Sequence, residues 1–301
     1  MTKTWFSVIG GASHHWLARF PSVIWLALAA ATLTALGMRL FGRVADLLAG
    51  LALGTNFLFL HWEQFARDLT ISLFLATFAT YAFVRMIETP TRARWPWIWA
   101  ASLLVAAWME LFGICVIAGH AAAYVVLVRT AGPRPRQRLE VTLGAAAFVL
   151  TIPNVVLVAT ANNGQLSWIP PVSFHRLYEQ PWIWAGRNPF AAVACVVGLV
   201  TLEFLARGDM PRVDAWKAAL LQVWVAAPFF VTIALSAIQP AFAAQYLFAA
   251  TPALALLLGV AVVYTDRWVG ASLLVGAIVA AGLLTADYIA LPPYAGFSFS
   301  P

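Results

Sequence analysis

The chain has 301 residues, of which 62% are hydrophobic and only 10% are charged, whereas roughly a quarter of the residues are charged in an average soluble domain. This composition excludes a soluble fold, because a domain of this size could not bury so much apolar surface. The formal net charge of +6 does not indicate nucleic-acid binding, since the basic residues lie in short gaps between long apolar segments.

These apolar segments are candidate membrane spans, because a helix needs about 20 mostly apolar residues to cross a bilayer. The sequence therefore predicts an all-α, polytopic transmembrane helical bundle of about ten spans, forming one domain over residues 1–301. The break between the fourth and fifth spans depends on Glu110 and Gly113. In chain order the spans are 21–38, 44–61, 69–87, 96–110, 112–128, 139–160, 189–206, 218–237, 246–264 and 268–287.

The basic residues predict the orientation of the bundle. One side holds 13 of the 18, and by the positive-inside rule it faces the cytoplasm. With an even number of spans, both termini are then outside, so residues 1–20 must cross the membrane without a preceding helix. The 13 residues are Arg39, Arg43, Arg85, Arg92, Arg94, Arg129, Arg134, Arg136, Arg138, Arg207, Arg212, Lys217 and Arg267; the outer five are Lys3, Arg19, Arg67, Arg176 and Arg187.

Ionisable residues near the outer ends of the spans are the first candidates for a functional site, because burying them in a membrane is costly. Glu63 and Arg67 are four residues apart, with Gln64 between them, and share one face of a helix. They form either a local ion pair or a site where Arg67 holds a lipid phosphate, since the planar guanidinium can contact phosphate oxygens with two hydrogen bonds. Glu110 is either a turn residue that reaches water or part of a polar cavity. His120 lies deeper and is expected to be packed or hydrogen-bonded.

Two further polar clusters belong to the same outer side. His175 and Arg176 lie in the longest outer loop, 161–188, which is rich in aromatic residues and is expected to run along the membrane interface. Gln245 and Tyr246 open the ninth span. Both clusters could be ordinary interfacial anchors. Together, the four clusters fit a site for a lipid-borne substrate, and they also fit the mouth of a transporter.

The sequence contains no motif for a nucleotide or a metal. It has no P-loop, no Rossmann glycine pattern, no CxxC and no HExxH, and nothing pairs with His14 and His15 at metal-ligand spacing. Cys115 and Cys195 fall inside predicted spans, which favours small buried side chains over a disulfide. We therefore expect no cofactor and no divalent metal.

Four motifs in order resemble those of the GT-C membrane glycosyltransferases, which include protein O-mannosyltransferases and lipid A aminoarabinose transferases. The motifs are Arg19-Phe20-Pro21-Ser22, the stretch from Leu60 to Leu69, the stretch Gln165-Leu166-Ser167-Trp168-Ile169-Pro170-Pro171, and Gln245-Tyr246 followed by Pro252-Ala253-Leu254.

The resemblance implies a GT-C-like bundle in a bacterial plasma membrane. It implies transfer of a sugar, of hexosyl or mannosyl type, from a polyprenyl-phosphate donor on the extracytoplasmic side. Its partners would be membrane lipids, the lipid-linked sugar and an unknown glycan, lipid or protein acceptor. The expected substrate-binding and lipid-phosphate-binding residues are Arg67, Glu63, Gln64, Arg19, Glu110, His175, Arg176, Gln245 and Tyr246.

The sequence also departs from the family pattern. The family's first helix, and an outer loop whose carboxylate acts as base or positions the acceptor, would precede Trp5. The family's Glu falls on Phe65, and its Arg before Tyr is Gln245. A partial chain or an inactive remnant is therefore one alternative, and no catalytic residue is assigned. A non-enzymatic lipid-linked glycan transporter or accessory subunit is another, although the chain has no clear internal repeat to favour a transporter.

Overall fold

The computed structural model describes residues 15–56, 69–160, 169, 171–207, 213–237, 242 and 244–290. Within these ranges the chain is helical and contains no β-strand. Two 3₁₀ helices, Leu111–Cys115 and Ala244–Ala250, precede α5 and α11 respectively. The α-helices are α1 His15–Phe41, α2 Arg43–Gly54, α3 Leu69–Glu88, α4 Arg94–Met109, α5 Val116–Ala131, α6 Gln137–Val149, α7 Ile152–Thr160, α8 Phe174–Trp184, α9 Pro189–Arg207, α10 Ala215–Leu235, α11 Thr251–Tyr264 and α12 Arg267–Ala290.

Eight helical segments of the described chain are long and apolar enough to cross a membrane, and each coincides with a predicted span. The protein is therefore an integral, multi-pass membrane protein. The other two predicted spans, 44–61 and 96–110, coincide with the shorter helices α2 and α4, of 12 and 16 residues. At 1.5 Å per residue these helices are about 18 and 24 Å long, less than the roughly 30 Å of a hydrocarbon core. The eight segments are Phe20–Phe41, Leu69–Glu88, Gly113–Ala131, Gln137–Leu157, Pro189–Arg207, Ala215–Leu235, Tyr246–Tyr264 and Arg267–Ala286.

Several of the loops predicted to be cytoplasmic meet at one end of the bundle, which we call the basic end. Arg39 at the end of α1 pairs with Glu88 at the end of α3, with 2.6 Å between the two side chains. The guanidinium of Arg134 donates to the main-chain oxygen of Met86 at 2.8 Å. The hydroxyl of Tyr264, at the end of α11, donates to a main-chain oxygen of α1 at 2.8 Å. The opposite end, where α3 begins at Leu69 and α11 begins at Thr251, is called the distal end.

Helix α11 lies at the centre of the bundle and contacts α1, α2, α9, α10 and α12. Its segment is the most buried of the eight candidate spans in the described chain. Glycines allow the close approach of its neighbours: a Cβ atom on Gly259 would collide with the carbonyl of Ala45 in α2, and one on Gly198 in α9 would collide with the carbonyl of Leu257. Small residues serve this purpose in membrane helix packing generally.

A left-handed glycine makes the sharp turn between α1 and α2. Gly42 has a φ of 93°, which a side chain with a Cβ atom rarely adopts. The carbonyl of Gly42 accepts the first hydrogen bond of α2, which the main-chain amide of Asp46 donates at 3.2 Å. The turn folds α2 back against α1, so that the short helix is placed beside α11.

Candidate functional site

The distal end is organised around the second 3₁₀ helix, Ala244–Ala250. This segment contacts α3, α8, α10, α11 and the first 3₁₀ helix, Leu111–Cys115. It contains the predicted residues Gln245 and Tyr246, while α8 contains His175 and Arg176, and Glu110 directly precedes the first 3₁₀ helix. The elements that contain three of the four predicted polar clusters therefore meet at one end of the bundle.

The long outer segment 161–188 is not a loop throughout, because residues Phe174–Trp184 form helix α8. The guanidinium of Arg176 donates to the carbonyl of Phe242, just before the second 3₁₀ helix, at 3.4 Å. On the exposed side, the imidazole of His175 lies 3.5 Å from the carboxylate of Glu179. Arg176 thus joins α8 to the distal core, while His175 and Glu179 remain accessible.

Helix α8 presents an exposed aromatic stripe, because Phe174, Tyr178 and Trp182 are spaced four residues apart. Their exposed fractions are 83%, 59% and 40%. The rings of Phe174 and Tyr178 are 6.1 Å apart in a T-shaped arrangement, which is favourable for aromatic pairs. Large aromatic side chains that are exposed on one face of a helix suit a membrane interface. The four-residue spacing was visible in the sequence and would have predicted this helix.

The stripe leads into an apolar lateral groove between α9 and α10, with α11 as its floor. The groove has a volume of about 510 Å³. Among the described residues, no lysine, arginine, aspartate or glutamate lines it, and a lining of this kind fits a hydrocarbon chain better than a polar ligand. Its wall includes Tyr178, Trp182, Val196, Val200, Phe229 and Leu257.

A smaller cavity of about 180 Å³ lies on the other side of α9, between α2, α11 and α12. Ala185, Cys195 and Leu254 line both the cavity and the groove. Cys195, expected to be a buried small side chain, is therefore half-buried at the boundary of two cavities, whereas Cys115 is buried as expected. Asn188, which sequence analysis did not single out, closes the distal side of the cavity by donating to the carbonyl of Ala277 in α12 at 2.8 Å.

Four of the nine predicted site residues have side chains that the structure describes: His175, Arg176, Glu110 and Tyr246. Glu110 is half-buried in the turn that ends α4, where its main-chain amide donates to the carbonyl of Ala106 at 3.0 Å. Tyr246 is also half-buried and packs against Cys115 and Ala227. Glu63, Gln64 and Arg67 lie outside the described residues, as do the side chains of Arg19 and Gln245.

His120 is part of a buried hydrogen-bonded chain, as predicted, and lies within the bundle. The indole of Trp99 donates to Nδ1 at 3.0 Å, and Nε2 lies 3.0 Å from the hydroxyl of Thr80. Because the indole can only donate, Nδ1 is the acceptor and Nε2 carries the proton. The Thr80 hydroxyl donates onward to the carbonyl of Ala76 at 3.0 Å. The chain ties α3, α4 and α5 together and has a structural role.

Of the polar side chains on α8, Arg176 donates to a main-chain carbonyl of the distal core, and the imidazole of His175 lies beside the carboxylate of Glu179 at the surface. Among the described residues, no three histidine, cysteine, aspartate or glutamate side chains are grouped closely enough to hold a metal ion.

No protein-family model and no curated protein matches the chain. Two solved structures do. The chain is similar to ArnT from Cupriavidus metallidurans bound to undecaprenyl phosphate, with a TM-score of 0.59 and 22% identity over 93% of this chain and 52% of that chain. It is similar to the apo state of the same protein, with a TM-score of 0.56 and 22% identity over 92% of this chain and 51% of that chain.

The chain described here spans about half the length of the ArnT chains that it matches. The similarity covers more than nine-tenths of this chain. The chain therefore shares the polytopic helical fold of ArnT, and the all-α transmembrane bundle predicted from the sequence is confirmed.

Proposed function

We propose that this chain binds a polyprenyl-phosphate-linked sugar at its distal end and takes part in transferring that sugar to an acceptor. The position of α8 carries the proposal. This helix forms the aromatic mouth of an apolar groove and, through Arg176, is joined to the carbonyl of Phe242, just before the second 3₁₀ helix. A lipid phosphate requires this combination, because its long chain needs an apolar groove and its charge needs nearby cations. The undecaprenyl phosphate bound to ArnT, which has the same fold, supports the assignment.

In this proposal the isoprenoid chain lies in the lateral groove and the phosphate lies at the distal end. Arg67 binds the phosphate through two parallel hydrogen bonds, which its planar guanidinium permits and a lysine would not. Arg176 keeps α8 in place and adds positive charge nearby. The remaining predicted residues bind the sugar or the acceptor: Arg19, Glu63, Gln64, Glu110, His175, Gln245 and Tyr246.

The reaction is displacement at the anomeric carbon of the sugar. The acceptor oxygen forms a bond to that carbon while the bond to the phosphate oxygen breaks. The polyprenyl phosphate leaves with the electron pair, and the acceptor proton passes to a general base. Negative charge grows on the leaving phosphate, so the arginines stabilise the transition state more than the ground state.

The distal end faces outward in this proposal. The basic end collects Arg39, Arg85 and Arg134, and by the positive-inside rule it faces the cytoplasm of a bacterial plasma membrane. Residues before α1 and after α12 then lie on the extracytoplasmic side. An alkaline phosphatase reporter inserted between α5 and α6 should be inactive, and one inserted between α7 and α8 should be active. The reverse pattern would overturn the orientation.

The binding experiment compares Arg67→Ala with a matched control. The full chain in lipid nanodiscs is titrated with undecaprenyl phosphate and, separately, with undecaprenol, which lacks the phosphate. We expect Arg67→Ala to abolish binding of the phosphate, and Arg67→Lys to restore only part of it. Undecaprenol should bind weakly and equally to all variants. Equal retention of undecaprenyl phosphate by Arg67→Ala and the control would refute the assignment.

The structure dictates the choice of control. Arg134 would seem suitable because it lies at the other end, but it is paired with the buried carboxylate of Glu140, so its loss would disturb folding. Arg138 is exposed on the first turn of α6, and Arg138→Ala removes the same charge without that cost. A transfer assay with radiolabelled donor sugar then separates binding from catalysis: binding without release of sugar favours a non-catalytic chain.

A further inference from the structure

Three arginines from three helices surround two aromatic rings at the basic end. Arg39 comes from the last turn of α1, Arg85 from the last turn of α3, and Arg94 begins α4. The guanidinium carbons of Arg85 and Arg94 lie 5.2 and 5.1 Å from the ring centre of Trp95. That of Arg39 lies 5.7 Å from the ring centre of Tyr81, and the two rings are 6.2 Å apart. We call these five residues the arginine cluster.

The arginine cluster has more positive than negative charge. Among the described residues, Glu88 is the one carboxylate that reaches it, at 2.6 Å from Arg39 and 3.7 Å from Arg85. Three guanidinium groups against one carboxylate leave two positive charges. Arg134 at the same end of the bundle differs, because the carboxylate of Glu140 and main-chain oxygens occupy its donors.

Two hydrogen-bond donors in the arginine cluster have no acceptor. Among the described residues, the buried side-chain nitrogens without a partner are Nε of Arg85 and Nε1 of Trp95. Buried donors are nearly always paired in proteins, so each exception calls for an explanation. These two belong to side chains in mutual contact, and both are next to excess positive charge. Together they indicate an anionic acceptor with several oxygens.

We propose that the arginine cluster binds the phosphate of an anionic phospholipid in the leaflet that borders the basic end. A phosphodiester has oxygens that can accept from Arg85 and Trp95, and its single negative charge offsets part of the excess positive charge on Arg85 and Arg94. Tyr81 and Trp95 place the cluster at the depth of the lipid headgroups, where such rings are enriched. Basic pockets between membrane helices bind headgroups in this way.

This site is separate from the proposed donor site, because it lies at the opposite end of the bundle. Failure of either proposal leaves the other standing. The lipid would hold the ends of α1, α3 and α4 together, since each of these helices contributes one arginine. It is therefore expected to bind whether or not a polyprenyl phosphate is present.

The test measures phosphatidylglycerol binding to the full chain in nanodiscs of phosphatidylcholine. Arg94→Gln removes one exposed charge of the cluster, and Arg138→Gln removes one exposed charge outside it at the same end. A basic residue near the membrane surface is worth about a fivefold change in binding of an anionic lipid. We expect Arg94→Gln to weaken binding by about fivefold more than Arg138→Gln does. Equal effects of the two variants would overturn the proposal.

A second variant tests the unpaired donors. Trp95→Phe keeps an aromatic ring for the two guanidinium groups but removes Nε1. We expect it to weaken phosphatidylglycerol binding several-fold while leaving the melting temperature in pure phosphatidylcholine nanodiscs unchanged. Unchanged lipid binding would refute the role of this donor. Soluble glycerol phosphate is the comparison ligand, because it has the phosphate without the lipid chains. If it binds as tightly as phosphatidylglycerol, the site is a general anion site and the lipid assignment is wrong.

Discussion

Replacing Arg134 by alanine is expected to cost about 3–5 kcal/mol of folding free energy. Its guanidinium lies 3.0 and 3.4 Å from the two carboxylate oxygens of Glu140 and 2.8 Å from the carbonyl of Met86. The side chain of Arg134 is 10% exposed and that of Glu140 only 1%. With alanine at this position, the buried carboxylate of Glu140 would keep the hydrogen bond that the Tyr124 hydroxyl donates at 2.6 Å. It would have lost the cation that pairs with it. The cost therefore arises from the charge left behind.

A double variant separates this explanation from a simple loss of contacts. Arg134→Met combined with Glu140→Leu removes both charges and keeps apolar volume, so we expect it to be within about 2 kcal/mol of the natural chain. Arg138→Ala, an exposed control in the same segment, should change stability by at most about 0.5 kcal/mol. The assay is equilibrium unfolding in detergent micelles. The reasoning fails if Arg134→Ala matches Arg138→Ala, or if the double variant is as unstable as the single one.

Three further predictions follow from packing. Gly259→Ala should destabilise the chain by about 1–3 kcal/mol, because the added Cβ atom would collide with a carbonyl of α2. Gly282→Ala is the control: its added Cβ atom would meet no other atom within 4 Å, so the melting temperature should stay the same or rise. Val196→Trp places a large side chain in the groove wall and should weaken undecaprenyl phosphate binding by about tenfold, or about 1.4 kcal/mol. Val275→Trp on α12 is the control and should leave this binding unchanged. The two valines are similarly exposed, at 65% and 60%. His120→Leu should cost about 1–3 kcal/mol in thermal unfolding, because it leaves a buried indole N–H unpaired.

The membrane class and most helix positions could be predicted from the sequence, because they depend on local composition. The predicted span 189–206 corresponds to Pro189–Arg207, and 268–287 corresponds to Arg267–Ala286. The weak break at Glu110 was also confirmed, since α4 ends at Met109. The resemblance that predicted the helical fold shared with ArnT rests on four motifs that are individually weak, and their order along the chain provided the specificity.

Helix α8 was missed because hydropathy does not reveal it. Its 11 residues mix aromatic, aliphatic, charged and polar side chains, which is typical of a surface loop when read by composition. The helix is stabilised by contacts with α9 and the second 3₁₀ helix, including the bond from Arg176 to Phe242. Helix α2 ends at Gly54, inside the predicted span 44–61, of which residues 57–61 lie outside the described part of the chain; an apolar run shows that a segment can enter a membrane and does not show where its helix ends.

By itself, the sequence determined that this protein lies in a membrane and where most of its helices run, because hydrophobicity acts locally along the chain. Only the tertiary structure decided which residues meet. Arg39 and Glu88 are 49 positions apart and pair directly, and Cys195 lies between two cavities that no local pattern indicates. The groove, the distal site and the arginine cluster each arise where three or more helices come together, and such contacts depend on how the whole bundle packs.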